Sequence, residues 1–455
     1  MVQCDSEQEL RQRFRIDQVE LAKPVSGSTT PDTSVPEDDE RGKGKPGLLK
    51  ALREELSSMA HRSDKSRGSE QAQLTEESIV PGYGLPRLDA CCSIQTPMRR
   101  RFQTAVVAWH VSSFVFLAVL SIYAFSNPFL WLISIPYTIY FLLDRTPGNG
   151  GVIRRRSHWF RSLPVWNLYC EYFPIGLVKG TPLQPTYTRK KPSLDDKRSK
   201  RSIFNVKSWR LFKRCDNMEA TGPRYIFGYH PHGIGALGAF GAFGTEACGW
   251  SEKFPGIDVS LMTLVTQFHI PLYREYLMAL GISAVSRKNS LKVLEQNHSI
   301  CIVVGGARES LMSSIGSVHL VLKRRKGFIR LALETGNVCL VPTFGFGETD
   351  CYNIFHTGED SYSRKLQLWI KKNYGFTIPL FYARGLFNYD FGVLPFRKPI
   401  TVVTGNPIYV KEKIPNPSPE QLDHYHRLYI EELKRLYYDN RQKYGYGDVE
   451  MEIAG

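Results

Sequence analysis

The segment Tyr229-His230-Pro231-His232-Gly233-Ile234-Gly235 decides how the rest of this chain is interpreted. It follows a short apolar run, residues 225–228, that predicts a buried strand, and it leads into the Gly- and Ala-rich residues 236–244, which can pack closely behind it. Two imidazoles therefore lie at a strand-to-helix turn, where α/β enzymes place the side chains of a site. Pro231 fixes the relation of the two rings, and Gly233 lets a ligand approach. The alternative is a pair of buried structural histidines.

The first 96 of the 455 residues differ in composition from the rest. They are rich in Ser, Glu, Gln, Lys, Arg, Gly and Pro and have no sustained apolar periodicity, so they cannot bury enough surface to offset the entropy of ordering. We therefore predict a disordered N-terminal tail over residues 1–96. The nine cysteines are scattered, with no Cys-x-x-Cys pair, which predicts neither a disulfide framework nor a zinc site.

The formal net charge of +15 lies mainly beyond the tail, where basic residues outnumber acidic ones. Such a surplus suggests an anionic partner: membrane headgroups, a phosphorylated substrate or nucleic acid. The densest part is a basic loop at residues 184–214. A run of this kind is most often solvated, but beside a membrane segment it also attracts anionic lipid. Because a membrane segment argues against nuclear targeting, no nucleic acid is expected as a partner.

Two apolar runs without Asp, Glu, Lys or Arg, residues 105–125 and 128–143, predict a membrane hairpin over residues 97–150. The first run is long enough to cross a bilayer core of roughly 30 Å, whereas the second is shorter and contains Pro136. So short a turn must return the chain to its starting side, either as two spans or as a re-entrant wedge. Arginines flank both ends, which predicts that both termini are cytosolic. The alternative is a buried helical pair in a soluble core.

From about Arg224 onward the pattern alternates between strand and helix. Strands are predicted at 224–229, 299–304, 338–344 and 400–404, and helices at 287–296, 327–335 and, amphipathic, 419–444. Gly336 is predicted to end the second helix. This alternation indicates an α/β layered domain over residues 151–455. The aromatic residues 159–172 near its start fit the headgroup zone of a membrane.

The histidine turn suits general-base removal of a proton from a hydroxyl acceptor, because the chain has no Gly-x-Ser-x-Gly nucleophile elbow. A donor that is already activated, such as a thioester, then needs no protein nucleophile. We favour His232 as the base, since it lies farther into the turn and directly beside Gly233. His230 ends the strand and is expected to be a supporting partner.

Two carboxylates are candidates for orienting the base. Glu309 follows the turn Gly305-Gly306 together with the cation Arg308, and Glu348 follows the strand at 338–344. We favour Glu309, because the strand before its glycine turn is the more apolar. As isolated signals, both are more typical of solvated or capping carboxylates.

Five sequence blocks together resemble a known family. They are Glu171-Tyr172-Phe173-Pro174, His230-Pro231-His232-Gly233, Gly305-Gly306-Ala307, Arg325-Lys326-Gly327-Phe328 with Val341-Pro342, and Phe346-Gly347-Glu348. Their order and spacing resemble the type-2 diacylglycerol acyltransferase family, which includes monoacylglycerol and wax-alcohol acyltransferases. The resemblance implies acyl transfer from acyl-CoA, as a co-substrate with no bound cofactor, to the hydroxyl group of diacylglycerol. It further implies the endoplasmic reticulum membrane and lipid droplets as the location, with a homo-oligomer left open.

The domain is more remotely similar to the glycerolipid acyltransferases that carry His-x4-Asp, which implies a layered fold of that kind. The Asp is missing here, since the fifth residue after His230 is Gly235 and after His232 is Leu237. The resemblance implies that Arg287 and Arg308 meet CoA phosphates or serve structure. The resulting site comprises His232, His230 and Glu309 as catalytic residues, Gly233, Gly305, Gly306, Arg308, Arg287 and Glu348 as substrate-binding residues, and no metal.

Three alternatives stay open at this point. Monoacylglycerol or a fatty alcohol would replace diacylglycerol as acceptor if the pocket differs in shape. A non-catalytic hairpin protein of lipid droplets, or a lipid-transfer protein, explains residues 105–143 but not the histidine turn. A metal shared by His230 and His232 lacks a third His or Cys at a ligand spacing.

Overall fold

A computed structural model describes residues 97–189, 218–354, 361–362, 365–367, 369, 380–386 and 392–455. The tail predicted at 1–96 and most of the basic loop predicted at 184–214 lie outside these residues.

Fourteen strands occur in the described part of the chain. They are β1 Gly176–Lys179, β2 Tyr187–Arg189, β3 Met218–Ala220, β4 Arg224–His230, β5 Val259–Thr263, β6 Ser283–Ala284, β7 Ser299–Val303, β8 Val318–Val321, β9 Val338–Phe346, β10 Asn353–Ile354, β11 Phe381–Tyr382, β12 Thr401–Thr404, β13 Ile408–Val410 and β14 Met451–Ala454. Eight of them form one sheet in the order β1-β12-β9-β4-β7-β5-β6, with β13 also paired to β9. The neighbours from β9 to β6 are parallel, whereas β12 and β13 run antiparallel to β9. The carboxyl ends of the five parallel strands from β9 to β6 therefore meet at one edge.

Twelve α-helices accompany these strands in the described residues. They are α1 Met98–Ser126, α2 Trp131–Leu143, α3 Val152–Arg155, α4 His158–Arg161, α5 Val165–Tyr172, α6 Leu237–Ala239, α7 Trp250–Lys253, α8 Tyr273–Ala279, α9 Arg287–Glu295, α10 Ala307–Ser310, α11 Gly327–Thr335 and α12 Pro419–Asn440. A π-helical turn, Phe240–Gly244, continues α6.

The two faces of the sheet are covered by different helical layers. In β4 the buried rings of Tyr225, Phe227 and Tyr229 pack with α1, α5 and the π-helical turn, whereas Ile226 packs with α9, α11 and α12. This alternation follows from the two-residue period of a strand that is buried on both faces. The α/β layered fold predicted from the sequence is therefore confirmed, with a sheet that mixes parallel and antiparallel strands.

The predicted element boundaries agree with the structure to within a few residues. Helix α11 begins and ends where predicted, and Gly336 follows it with a φ of +64° that favours glycine. Helix α12 begins at a capping box between Ser418 and Gln421, and it ends at Asn440 rather than at residue 444.

The predicted membrane hairpin corresponds to α1 and α2. Helix α1 has 29 residues and is the one helix of the described residues that is long and apolar enough to cross a membrane. Helix α2 has 13 residues, about 20 Å at 1.5 Å per residue, which is shorter than a bilayer core of roughly 30 Å. Two full spans are therefore not confirmed.

One side of α1 packs against the rest of the domain along most of its length. Near its start, Arg99 forms an ion pair with Glu171 of α5. Farther along, the ring of Phe114 lies 5.7 Å from that of Tyr273, and Ser121 Oγ donates a hydrogen bond to the carbonyl of Pro271. The alternative of a fully buried helical pair is wrong, since α1 and α2 expose many large apolar side chains, for example 87% of Leu132.

The prediction that residues 159–172 lie in a headgroup zone is wrong for most of this segment. Trp166, Tyr169 and Tyr172 of α5 are buried in the core. The guanidinium of Arg161 is also fully buried, where it pairs with Glu246 and donates to the carbonyls of Phe243 and Gly244. Aromatic residues fit a core as well as an interface, so composition alone did not separate the two.

Candidate active site

Parallel pairing brings two of the predicted turns together. Tyr229 of β4 lies opposite Val303 of β7, so the histidine turn after β4 and the glycine turn after β7 leave the sheet side by side. The amide of Val304 donates a hydrogen bond to the carbonyl of Tyr229, 3.2 Å away, which fixes this arrangement. The predicted His232 and Glu309 are consequently neighbours.

The ring of His232 is held at its Nδ1 atom. That atom lies 3.0 Å from the carbonyl oxygen of Gly233 and 3.1 Å from Ser310 Oγ. Because a carbonyl oxygen only accepts, Nδ1 carries the proton, and Nε2 is the nitrogen with a free lone pair. Burial lowers the pKa of His232 from its ordinary value, so the ring is neutral near pH 7. A neutral imidazole with a fixed tautomer and a basic Nε2 is suited to act as a general base.

Glu309 braces the backbone of the histidine turn rather than its ring. Its Oε1 accepts a 2.5 Å hydrogen bond from the His232 amide, and its Oε2 accepts one of 2.8 Å from the amide of Val321. The contact predicted between Glu309 and the imidazole is therefore wrong, and the Gly233 carbonyl and Ser310 take that place. Burial is the main cause that raises the pKa of Glu309 to about 7.

Gly305 allows the carboxylate of Glu309 to lie where it does. A Cβ atom at this position would stand 2.2 Å from Glu309 Oε2, and the φ of +100° also favours glycine. The next residue, Gly306, has a φ of +66° and precedes α10. The Gly305-Gly306 block thus shapes the turn that carries Glu309 and Ser310.

His230 has a different environment on the α12 side of the sheet. It is fully buried, and its Nε2 lies 3.0 Å from the hydroxyl of Tyr429, which itself donates to the carbonyl of Gly228. The Tyr429 proton is thus used on Gly228, so His230 Nε2 donates to the phenol oxygen. Burial lowers the pKa of His230 to about 3. His230 therefore holds β4 to α12 as a neutral group.

Glu348 supports the histidine turn from the opposite side. Its carboxylate accepts hydrogen bonds from the hydroxyl of Tyr229 at 2.7 Å and from the amides of Leu237 and Gly238 at 2.6 and 2.8 Å. Burial raises its pKa to about 7. A Cβ atom at Gly233 would lie 2.9 Å from Glu348 Cγ, so glycine permits this close contact as well. Glu348 fixes the start of α6 beneath the turn.

The two predicted arginines lie in different surroundings. Arg287, at the start of α9, forms an ion pair of 2.9 Å with Glu334 of α11, and no contact between it and His232 or Glu309 occurs in the described residues. Arg308 lies in α10, next to Glu309, with an exposed side chain. Substrate binding by either residue stays a prediction. No group of three or more His, Cys, Asp or Glu side chains able to hold a metal ion occurs in the described residues.

Three residues of the site were not predicted from the sequence. Ser310 contacts the His232 ring, Tyr429 contacts His230, and Arg325 Nη2 donates to the carbonyl of Gly305 at 3.0 Å. Ser310 directly follows Glu309, so its adjacency was a usable signal. Tyr429 lies about 200 residues from His230 along the chain, and only the packing of α12 on β4 brings the two together.

Comparison with known proteins places these residues in a family. The sequence pattern of the family described as Diacylglycerol acyltransferase matches residues 122–189 and 201–454. Diacylglycerol O-acyltransferase 1 of Saccharomyces cerevisiae is 58% identical over 413 residues, which cover 87% of this chain and 98% of the relative. Diacylglycerol O-acyltransferase 2B of Umbelopsis ramanniana is 39% identical, covering 75% and 88%.

A further relative is 2-acylglycerol O-acyltransferase 1 of Bos taurus, 38% identical over 79% of this chain and 97% of the relative. No solved structure matches. The family pattern spans most of the chain and includes the histidine turn, the glycine turn and the block around Glu348. The chain therefore belongs to the diacylglycerol acyltransferase family.

Proposed function

We propose that this chain transfers the acyl group of acyl-CoA to the free hydroxyl group of diacylglycerol, forming triacylglycerol, with His232 as the general base. One observation carries the mechanism. The Nδ1 atom of His232 lies 3.0 Å from the Gly233 carbonyl oxygen, so Nε2 is the nitrogen that can accept a proton. The relatives named diacylglycerol O-acyltransferases support the acceptor.

The chemistry needs no covalent enzyme intermediate and no bound cofactor. Nε2 of His232 takes the proton of the acceptor hydroxyl as its oxygen attacks the thioester carbonyl. The tetrahedral intermediate then collapses, the C–S bond breaks, and the departing CoA thiolate receives the proton from the imidazolium. Glu309 holds the His232 backbone in place during these steps, and the exposed Arg308 is our candidate for a contact with acyl-CoA.

We assign the chain to the type-2 branch of the family. The relatives named diacylglycerol O-acyltransferase 2B and 2-acylglycerol O-acyltransferase 1 match along most of their lengths, and the five blocks of the sequence are typical of that branch. Monoacylglycerol is the second candidate acceptor. Diacylglycerol is favoured over it because the relative that is 58% identical is named for diacylglycerol.

The test is purified full-length protein, in detergent or lipid nanodiscs, supplied with labelled acyl-CoA and a panel of acceptors. Diacylglycerol, 2-monoacylglycerol and a fatty alcohol are compared at equal concentration, and the products are separated by lipid chromatography. We expect labelled triacylglycerol to dominate, and its rate of formation to fall by about 10²- to 10⁴-fold in His232→Ala. Equal or faster acylation of monoacylglycerol or the fatty alcohol would overturn the proposal that diacylglycerol is the acceptor. No acylation of any acceptor would overturn the proposed acyl transfer itself.

We further propose that α1 and α2 enter the endoplasmic reticulum membrane as a re-entrant wedge, with both termini cytosolic. The contacts of α1 with the domain run from Arg99 to Ser121, about 33 Å along a helix at 1.5 Å per residue. A vertical span would therefore pull Pro271 and Tyr273 through the bilayer core. A wedge that lies along the domain avoids this cost.

Cysteine labelling at the tip between the two helices tests this topology. Asn127 is replaced by Cys in a variant whose other accessible cysteines are removed, and intact microsomes are treated with a membrane-impermeant maleimide. We expect the cysteine that replaces Asn127 to remain unlabelled, whether or not the lumen is opened. We also expect external protease to cleave tags on both termini. Labelling only after the lumen is opened would establish two spans instead.

A further inference from the structure

An open groove of about 470 Å³ lies on the outside of the domain, away from the contacts that hold His232. It is formed between the segment before α11 and the first half of α12. Its lining comprises Lys323, Lys326, Asp423, His426, Arg427, Ile430, Glu431 and Lys434. Four of these side chains are cations and two are acids, so the groove carries a net positive charge.

The floor and the rim of this groove differ in chemistry. The floor is the buried His426, whose Nε2 is hydrogen-bonded to the carbonyl of Leu322, together with the half-buried Ile430. On the rim, Lys323, Arg427 and Lys434 are exposed, whereas Lys326 is paired with Asp423. An aromatic ring flanked by phosphates fits such a surface, because the ring covers the floor and the phosphates meet the rim.

The groove is connected to the candidate active site by one residue. Arg325 lies between the groove residues Lys323 and Lys326, and its guanidinium donates to the carbonyl of Gly305. Gly305 in turn packs on Glu309, which holds the backbone of His232. Beside the larger effect of burial, the positive charge of Arg325 further lowers the pKa of His232 and partly offsets the rise in the pKa of Glu309.

We propose that this basic groove binds the adenosine 3′-phosphate 5′-diphosphate end of acyl-CoA. The inference rests on the proposed function and adds to that function a binding site for the part of acyl-CoA that the reaction leaves unchanged. Of the two substrates only acyl-CoA carries phosphates, since diacylglycerol is neutral, and its long flexible pantetheine arm allows the thioester to reach His232 from a groove beside Arg325. Arg287, by contrast, is already paired with Glu334.

The same phosphate chemistry could come from an anionic lipid headgroup, so the experiment has two arms. The variant is Lys323→Ala with Arg427→Ala, two exposed groove cations. The matched control is Lys288→Ala with Lys411→Ala, which removes the same charge from exposed positions outside the groove. In the first arm, KM and kcat are measured with acyl-CoA and with acyl-3′-dephospho-CoA, and binding of adenosine 3′,5′-bisphosphate is measured by calorimetry.

We expect the groove variant to raise the KM for acyl-CoA at least about tenfold, because two charge-assisted contacts to phosphate are removed. We also expect kcat to be little changed, bisphosphate binding to be lost, and the preference for the 3′-phosphate to disappear. The control variant should behave as the unchanged protein. In the second arm, binding to vesicles with and without anionic lipid should be the same for both variants.

Unchanged KM and unchanged bisphosphate binding in the groove variant would overturn the proposal. Loss of binding to anionic vesicles with an unchanged KM would assign the groove to a lipid headgroup instead and would equally overturn it. Because the bisphosphate contains no acyl group, its binding is measured independently of turnover. Failure of the proposed acyl transfer is therefore distinguishable from failure of the groove.

Discussion

The two histidines of the turn are separated by one proline, yet their surroundings are opposite. His230 is fully buried and bonded to Tyr429 on the α12 side of the sheet. His232 is half-buried, and its ring is held at one nitrogen by Gly233 and Ser310. The first arrangement uses the ring to join a strand to a helix. The second fixes a tautomer and leaves one nitrogen for chemistry.

The difference supports the proposal that one motif combines a structural histidine, His230, with a reactive one, His232. The strand alternation places Gly228 and His230 against Tyr429, where they share its hydroxyl group. After Pro231 the chain leaves the sheet, and His232 is held by Glu309 and Ser310, which follow the glycine turn after β7. A pair of buried structural histidines, the alternative considered from the sequence, describes His230 well and His232 poorly.

The largest expected effect that tests this comparison is that of His232→Ala. Loss of a general base typically lowers the rate by about 10²- to 10⁴-fold, so kcat should fall by that order while protein level and membrane association stay unchanged. His230→Ala should lower kcat less, and it should lower the temperature of unfolding more, because a buried hydrogen bond and packing are lost. The two variants are compared by initial rates and by thermal unfolding in the same detergent. Near-normal turnover of His232→Ala with an inactive His230→Ala would reverse the assignment.

Glu309→Gln should have the next largest effect. A glutamine side chain accepts with only one atom, so one of the two amides, that of His232 or that of Val321, loses its acceptor. We expect kcat to fall about tenfold or more, with little change in the KM for acyl-CoA, because the loss displaces the base rather than a binding contact. Glu348→Gln serves as the comparison and should mainly lower thermal stability, since its carboxylate holds α6. A raised KM with normal kcat in Glu309→Gln would instead indicate a binding role.

Much of the fold was predictable from the sequence, because it depends on local patterns. Apolar runs gave the strands around the site, and the helical period with its Ser418 cap gave α12. The hydrogen bond between Glu309 and the His232 backbone was not predictable. At the same sequence spacing, a carboxylate oxygen can accept from either an imidazole ring or a backbone amide. The partner of His230 depends on the register between α12 and β4, which no local pattern contains. The short length of α2 was visible in the sequence, but its contact with the domain, a hydrogen bond from the Leu272 amide to the Tyr137 hydroxyl, was not.

The pH dependence of stability distinguishes the two buried carboxylates from the histidines. The pKa values of Glu309 and Glu348 are raised from 4.5 to about 7, so the stability they contribute is present below about pH 4.5 and is lost as pH rises through about 7. The lowered pKa of His230 acts in the opposite direction, with stability present above about pH 6.5 and lost toward pH 3. The contribution of Glu309 is isolated by subtracting the unfolding temperature of the unchanged protein from that of Glu309→Gln at each pH.

This difference should increase by about 2 °C or more between pH 5 and pH 8, because the variant no longer has to ionise a buried acid. Glu295→Gln, which removes an exposed carboxylate of α9, is the control. The measurement is thermal unfolding across the pH range at constant ionic strength. A difference that stays constant or shrinks with rising pH would contradict the raised pKa of Glu309.

The smallest expected effect, and the one that separates two mechanisms, is that of Ser310→Ala. Ser310 Oγ donates to the Gly233 carbonyl at 2.8 Å and lies 3.1 Å from His232 Nδ1, so its loss leaves the ring with the Gly233 contact alone. A neutral hydrogen bond contributes about 1 kcal/mol, and kcat should therefore fall only about fivefold, with recovery in Ser310→Thr. Since the hydroxyl oxygen also stabilises the imidazolium, the acid limb of the kcat/KM profile should shift to lower pH in Ser310→Ala.

A loss as large as that of His232→Ala, together with a labelled acyl-enzyme in the unchanged protein, would mean that Ser310 is a nucleophile and that the direct transfer proposed for His232 is wrong. The burial of Ser310 and the proton on Nδ1 both argue against that outcome, because a serine next to a protonated nitrogen has no base to activate it.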